Sequence, residues 1–306
     1  MLSHFDYLSF MAQFGRQITD VQEFKMRLEN FTFMHNFIED HNASGKSWVA
    51  GHNQFSDWSH AEYKAMLGHT GEMPNGDYHV YEITGDESPV DWIAKGAVNA
   101  VQDQGQCGSC WAFSATFAEE GAHFLASGSL EKFAEQQLVD CAGLRYGNLG
   151  CNGGMQDRAF NYLEKNAFNL EANYPYVSGT TKKAGSCQAT ADGNVKVLNY
   201  KDNTPNSVAQ LKAALATAPQ YSTIEADKAV FQTYKSGIFD SEECGTQLDH
   251  ATGLTGWGIE DGVEYWVMRN SWGTTWGDQG YMKIKITGDG PGICGILMGT
   301  GAPTSN

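Results

Sequence analysis

The sequence predicts an α+β protein built in two parts, and three observations carry that reading. Residues 1–87 hold no cysteine, seven of the nine histidines, and apolar residues at helical spacing. The eighteen residues from Cys110 to Ser127 leave almost no polar face, as a helix buried on all sides requires. Two later segments, 247–258 and 265–269, have the apolar and glycine-rich character of packed strands.

At 306 residues the chain has room for about two domains. Its apolar content of 41% supports a substantial core. A formal net charge of -16 argues against nucleic acid or an anionic membrane as partner, because both attract basic surfaces. No run of ~18 apolar residues is available to span a bilayer. The stretch from Met1 to Tyr7 carries a charge at Asp6 and lacks an uninterrupted apolar core, so it does not read as a signal peptide. Either a signal precedes this numbering or the protein is cytosolic. The seven cysteines, at 107, 110, 141, 151, 187, 244 and 294, favour the first, since their wide spacing suits disulfides in an oxidising compartment. Seven reduced core thiols are the plainer alternative.

Composition shifts near residue 87. Residues 1–87 carry 5 basic and 13 acidic side chains, the remainder 15 and 23, so each part has a net charge of -8. Leu2, Phe5, Leu8 and Ala12 predict a first helix over 2–14. Asp20, followed three residues on by Glu23, resembles a capping box and opens a second helix running to about Asn42. Phe24, Leu28, Phe31 and Ile38 repeat along it. A third helix is expected from Ser59 to Gly68, and residues 68–87, rich in Gly, Pro, Asp and Glu, read as a linker. Sequons stand at Asn30 and Asn42, a pattern that also arises by chance.

The chemistry concentrates between Gln104 and Ala115, where Cys107 and Cys110 stand three apart. On its own the pair suits a redox CxxC, half a metal site, or a cysteine nucleophile at a helix N-terminus. The helix after it would be ~27 Å long at ~1.5 Å per residue, with Gly128 placed to end it. A thiol at its N-terminus faces the positive end of the helix dipole, which lowers its pKa. A nucleophile also needs a base. His123 lies thirteen residues along the same helix, about 220° round, and faces away. His250 remains, and Asn270, after the next apolar segment, offers an amide that can hold its tautomer.

Larger motifs then connect these residues. Glu23, Arg27, Phe31, Ile38 and Asn42, followed by Gly51, Asn53, Phe55 and Asp57, resemble the propeptide motifs of cathepsin L-like papain proteases. Taken alone, Glu23–Arg27 is an ordinary i,i+4 pair. Met34 departs from the pattern, which has an asparagine there. Cys-Gly-Ser-Cys-Trp at 107–111, Asp249-His250, and Asn-Ser-Trp-Gly at 270–273 are similar to the catalytic segments of papain-like cysteine proteases. The resemblance runs from Glu23 to about Gly295.

The resemblance implies a papain-like two-lobe fold, one lobe helical and one β-barrel-like with a cleft between, preceded by a helical propeptide domain. Residues 1–87 would be the propeptide and 88–306 the protease. Cys110 would be the nucleophile, His250 the acid/base and Asn270 its orienting partner, shielded by Trp272. Gln104 and the Cys110 N–H would form the oxyanion hole. Disulfides Cys107–Cys151, Cys141–Cys187 and Cys244–Cys294 are implied, leaving Cys110 free. Gly153 and Gly154 would pair with substrate backbone. Met155, Gln156, Thr223, Leu248, Ala251 and Gly299 would surround the specificity pocket, and Asp249 would also contact substrate. That lining, mostly apolar or small, implies a hydrophobic side chain two residues before the cut. Gln156 and Ala134 depart from the family pattern, the latter removing a helix cap worth ~1 kcal/mol.

No cofactor or metal is implied. The expected partners are protein and peptide substrates, the chain's own propeptide as inhibitor, and cystatin-type inhibitors, for a monomer in a lysosome, vacuole or secreted space. With no long insertion to block the cleft, an endopeptidase is expected, activated by acid. An acyltransferase or ligase would share the acyl-enzyme, and an inactive binding homologue would lack the triad. Both parts being acidic, protonation lowers their mutual repulsion, so release by acid has to come from particular histidines or paired carboxylates where the parts pack, with solvated surface histidines as the plainer reading.

Overall fold

The computed structural model of the chain describes residues 4–70, 78–85, 87–190 and 195–306. The N-terminal part comprises α1 (His4–Gln13), α2 (Val21–Ala43), β1 (Trp48–Ala50), α3 (His60–Lys64) and β2 (Tyr78–His79). Leu2 of the expected first helix, and residues 71–77 and 86 of the expected linker, lie outside the described residues. The third helix is shorter than its composition suggested, closing at Ala65. The segment after it is not a linker throughout: Gly68 and His69 are buried, and Tyr78–His79 form a strand.

The first two helices cross where Tyr7, Phe10 and Phe31 are buried, the last two with ring centroids 4.8 Å apart. Asp20 caps α2 by accepting the Glu23 N–H at 2.8 Å. The reciprocal half of the expected capping box is missing, because the Glu23 carboxylate accepts instead from Arg27 at 2.8 Å. A charged donor outcompetes a backbone N–H. The complete box sits at Ser59 and Glu62, the first turn of α3. Arg27 reaches Glu62 as well, at 2.9 Å, tying α2 to α3. Asn42 spends both amide atoms on Ala50, holding β1. The fully buried Asp57 carboxylate pairs with Arg16 at 2.9 Å and accepts the Tyr7 hydroxyl at 3.3 Å.

Beyond residue 87 come β3 (Val90–Asp91), α4 (Cys110–Ser127), α5 (Glu135–Cys141), α6 (Gln156–Leu163), α7 (Ser178–Thr181), β4 (Val197–Asn203), α8 (Val208–Thr217) and β5 (Gln220–Ile224). They are followed by α9 (Ala229–Gln232), β6 (Tyr234–Phe239), β7 (His250–Glu260), β8 (Val263–Arg269), β9 (Tyr281–Lys285) and β10 (Thr300–Ser305). The fold is therefore α+β. Helix α4 has the expected bounds and ends on Gly128 in the left-handed region, φ 76°. It is buried from Cys110 to His123. Its polar residues Glu119 and Glu120 are buried too, Glu119 accepting from Ser305 at 2.6 Å and Glu120 pairing with Lys132 at 3.2 Å. His123 turns away from Cys110 and contacts the Asn306 carbonyl at 3.1 Å. Ala134 stands at the N-cap of α5 with no side-chain cap.

Among the described residues the sheet runs β1-β6-β9-β8-β7-β5-β10-β4-β2, with β3 joined to β7 off that path. Strands from the N-terminal part thus form both ends of the order. At one end β1 pairs antiparallel with β6, and at the other β2 pairs parallel with β4. One core cluster gathers Trp111, Phe133, Leu138 and Phe160 around α4. A second, under the sheet, joins Leu254, Trp266, Trp276 and Ile284 to Trp48, Phe55 and Tyr63 of the N-terminal part. The N-terminal part is therefore packed into the same core as the sheet.

Removing Arg16 would strand the Asp57 carboxylate in that buried setting. Arg16→Ala is expected to cost the N-terminal part about 3 kcal/mol. Calorimetry of the full chain should show its transition at a lower temperature than in the wild type, and an unmoved transition would contradict the pairing.

Candidate active site

Three sequence-distant segments meet at the N-terminus of α4. The loop ahead of it is tied down by the Cys107–Cys151 disulfide. Cys141–Cys187 and Cys244–Cys294 are bonded as well, and Cys110 is a free, buried thiol. With Cys107 bonded to Cys151, the 107/110 pair is not a dithiol. Among the described residues no group of His, Cys, Asp or Glu is arranged to hold a metal ion.

His250 opens β7, and Asn270 follows β8, the strand paired to it. His250 Nε2 lies 2.8 Å from Asn270 Oδ1. That oxygen also accepts the Ser271 N–H at 2.8 Å, so it acts as an acceptor and the imidazole proton sits on Nε2. Nδ1 is left as the nitrogen available for proton transfer. Trp272 stacks on the imidazole at 4.6 Å and is itself fully buried. Gln104, also fully buried, is oriented by Ser271, whose hydroxyl donates to its Oε1 at 2.7 Å.

The N-terminal part runs straight through this arrangement. Gln104 Nε2 donates to the Met66 carbonyl at 2.9 Å and to the Cys107 carbonyl at 2.9 Å. The Gly68 N–H points at Cys110 Sγ, 3.2 Å away, and the Ala251 N–H approaches the same sulfur at 3.4 Å. The Gly68 carbonyl accepts from the Gly154 N–H at 2.8 Å, and the His69 N–H donates to the Asp249 carbonyl at 3.0 Å. His69 and Gly154 form a parallel bridge. Phe55 and Tyr63 press on Trp272, with centroids at 5.2 and 5.6 Å.

Glycine is required at Gly68, where a Cβ would stand 1.9 Å from the Gly108 carbonyl oxygen. The two cleft glycines divide their work differently from the expectation. A Cβ on Gly153 would face the Gly68 oxygen at 3.1 Å, whereas one on Gly154 would strike Trp111 at 2.7 Å. Gly153 thus admits the neighbouring backbone, and Gly154 supplies the hydrogen bond while packing on α4.

The electrostatics reverse one expectation. The helix N-terminus was expected to lower the thiol pKa. Burial instead pushes Cys110 up to about 12, outweighing the Ala251 and Gly68 N–H groups. Burial likewise takes His250 down to about 4, against the Asn270 hydrogen bond and with help from His69. Desolvation penalises both charged forms once residues 66–69 exclude water. The thiol and imidazole are held neutral. Asp249 is pushed up to about 7 by burial, with Asp227 and Glu225 adding to it.

The pocket beside Gly154 also differs from the sequence reading. Met155, Gln156, Thr223 and Gly299 line it as expected, with His69 seated among them. Asp157, Asp202 and Tyr221 line it too, which no motif signalled. Leu248 and Ala251 are buried elsewhere: Ala251 lies against the thiol, and Leu248 would contact a Cβ placed on Gly295 at 2.7 Å. The lining is therefore less apolar than expected, because α6 contributes Asp157, β4 Asp202 and β5 Tyr221.

Comparison with known proteins matches this architecture. The model of the papain family cysteine protease fits residues 87–304, and that of the cathepsin propeptide inhibitor domain fits residues 7–63. The senescence-specific cysteine protease SAG39 of Oryza sativa subsp. japonica is 38% identical over 305 residues, spanning 96% of this chain and 88% of that protein. Among solved structures, the recombinant stem bromelain precursor superposes with a TM-score of 0.87 at 32% identity, covering 98% of this chain and 97% of that one. Digestive procathepsin L 3 of the Tenebrio molitor larval midgut gives a TM-score of 0.87 at 30% identity, over 99% of this chain and 100% of that one. The chain belongs to the papain family of cysteine proteases and is a cysteine-type peptidase joined to a propeptide inhibitor domain.

Proposed function

We propose that the protein is a cysteine endopeptidase held latent by residues 1–87 and active through residues 88–306. The Cys110 thiolate attacks the substrate carbonyl carbon, and the developing oxyanion takes hydrogen bonds from Gln104 Nε2 and the Cys110 N–H. His250, protonated at Nδ1, gives that proton to the departing amine, leaving an acyl thioester on Cys110. Water then attacks the thioester while His250 takes its proton, and the acid product leaves with the thiol restored. Asn270 holds the tautomer throughout. A hydrophobic side chain two residues before the cut lies along Met155.

One observation carries this reading. Gln104 Nε2 already holds a peptide carbonyl, that of Met66, while the Gly68 N–H covers the thiol two residues on. A peptide of the N-terminal part thus engages both the Gln104 amide and the thiol. The parallel bridge of His69 to Gly154 fits a backbone running opposite to substrate. Losing residues 66–69 readmits water and allows the thiolate–imidazolium pair to form.

Acid activation follows from His52. Its ring stacks on Phe31 at 4.4 Å and its Nε2 lies 3.1 Å from His35 Nδ1. Burial, with the neighbouring His35, takes it down to about 4. The unfolded imidazole titrates near 6.5 and therefore binds protons that the folded one refuses. Stability is full above pH 6.5 and falls as pH drops towards 4, by on the order of 3 kcal/mol. Glu62, held below its usual range by Ser59 and Arg27 despite burial, adds a loss at lower pH. Asp249 works the other way, since its raised value favours the closed form on acidification. A vacuolar, lysosomal or secreted setting fits both the three disulfides and this acid trigger.

Two outcomes test the reading. Cys110 in the full chain should alkylate with iodoacetamide on the order of a thousand-fold more slowly at pH 7 than in the acid-processed enzyme. Cys110→Ser should abolish peptide hydrolysis, and equal alkylation rates before and after processing would sink the latency argument. Separately, His52→Gln should lower the midpoint pH of self-processing by at least about half a unit. An unmoved midpoint by gel or mass spectrometry would remove His52 as the trigger.

A further inference from the structure

Ser109 stands at the N-cap of α4 and is fully buried, yet its side chain makes no cap hydrogen bond. A serine in that place ordinarily accepts a backbone N–H from the first turn. Here the hydroxyl lies 2.8 Å from the Tyr176 hydroxyl instead. The Tyr176 hydroxyl in turn donates to the Gln104 carbonyl at 2.8 Å. A phenol has one proton and a carbonyl oxygen only accepts, so Ser109 is the donor to Tyr176. One phenol oxygen therefore joins Gln104 to the residue just ahead of Cys110.

We propose that Tyr176 is a positioning residue for the oxyanion hole. Its hydroxyl fixes the Gln104 backbone and the Ser109 side chain, and through them the Gln104 Nε2 and the Cys110 N–H that receive the oxyanion. The assignment rests on the protease reading above and adds a residue to the same reaction.

Gln104 is held from two sides. Its N–H donates to the Ser271 carbonyl at 2.8 Å, and its Oε1 accepts from the Ser271 hydroxyl at 2.7 Å. Ser271 follows β8 of the sheet, whereas Tyr176 packs with the cluster around α4. The residues after each run side by side. A Cβ on Gly105, at φ 57°, would stand 2.7 Å from Gly179 Cα, and the Gln106 N–H donates to the Gly179 carbonyl at 2.9 Å. Tyr176 is itself anchored. Its ring meets Phe113 of α4 edge-on, with centroids 4.8 Å apart. The Val177 and Ser178 N–H groups both donate to Gln136 Oε1, at 2.8 and 3.0 Å, and Gln136 is buried on α5. Burial raises the phenol above its ordinary value, with the Ser109 hydrogen bond opposing, so the hydroxyl stays a donor. Donors to an oxyanion act by being in place before the charge develops. Loosening them by about 0.5 Å lowers the rate and leaves substrate binding alone.

The test uses the full chain after processing at acid pH, with enzyme concentration set by active-site titration with an epoxide electrophile. Tyr176→Phe removes one oxygen and keeps the ring on Phe113. It should lower kcat for a dipeptidyl coumarylamide about ten-fold, with KM within about two-fold of the wild type. Alkylation of Cys110 by iodoacetamide forms no tetrahedral oxyanion, so its rate should stay within about two-fold. A merely structural role would slow both reactions together. Ser109→Ala removes the other hydroxyl and should lower kcat in the same direction with alkylation again unmoved. It decides the matter if Tyr176→Phe does not fold. An unchanged kcat in both variants, a loss carried by KM, or kcat and alkylation falling in parallel overturns the role of Tyr176 alone. A titrated wild type that hydrolyses no peptide overturns the protease reading with it.

Discussion

The constraint on which the structure turns is the passage of Gly68 over Gly108 with no side chain between them. A Cβ on Gly68 would sit 1.9 Å from the Gly108 carbonyl, inside any permitted contact. That closeness brings the Gly68 N–H to the sulfur and the Met66 carbonyl to Gln104. It also dries the site. Exclusion of water is what raises the thiol to about 12 and lowers the imidazole to about 4. Latency here is therefore an effect on ionisation as much as a steric block. The covering backbone offers one N–H to sulfur, too little to replace the hydration of a thiolate.

Such a contact holds only if the segment bearing it is fixed at both sides. Upstream, Phe55 and Tyr63 pack on Trp272, the tryptophan that stacks on His250. The Asn53 amide donates to the Gln232 carbonyl at 2.7 Å, and β1 extends the sheet beyond β6. Downstream, β2 extends it beyond β4, and Tyr81 and Gln210 exchange two hydrogen bonds at 2.8 and 3.0 Å. The inhibitory segment is thus strung between two sheet edges. Each edge would expose unpaired backbone without its strand, so docking protects the edges while it closes the cleft. Melting the α1–α2 crossing, where His52 lies, loosens the upstream anchor and leaves the downstream one in place.

Much of this was legible in the sequence, for definite reasons. Helix α4 could be bounded to the residue because it is apolar all round and ends on a glycine. His250 and Asn270 could be paired because only two histidines follow residue 87, and one of them is on the wrong side of α4. The family resemblance carried the disulfide pairings. Other features were hidden because they depend on what lies opposite. The helix dipole at Cys110 is a local property and readable, but the desolvation that defeats it comes from residues 66–69. A capping box at Asp20 and Glu23 looks complete until Arg27 claims the glutamate. Glu119 and Glu120 lie in an apolar run whose pattern gives no hint that Ser305 and Lys132 await them. The strand at Tyr78–His79 has turn-like neighbours, and its pairing with β4 is set by tertiary contact.

The pocket beside Gly154 illustrates the same limit most clearly. Its rim residues, Met155 and Gln156, come directly after the Gly153–Gly154 motif and are found by proximity to it. Asp202 lies on β4, some distance from every motif, and reaches the pocket only because β10 joins β4 to β5. Its position is kept by Tyr221, which belongs to the core of the helical lobe. Residues close to the bond-breaking atoms are constrained by chemistry, so their types and spacings are restricted and recognisable. The β4 strand can change its residue at 202 without disturbing Cys110, His250 or Gln104. The lining therefore has to be read from the assembled pocket.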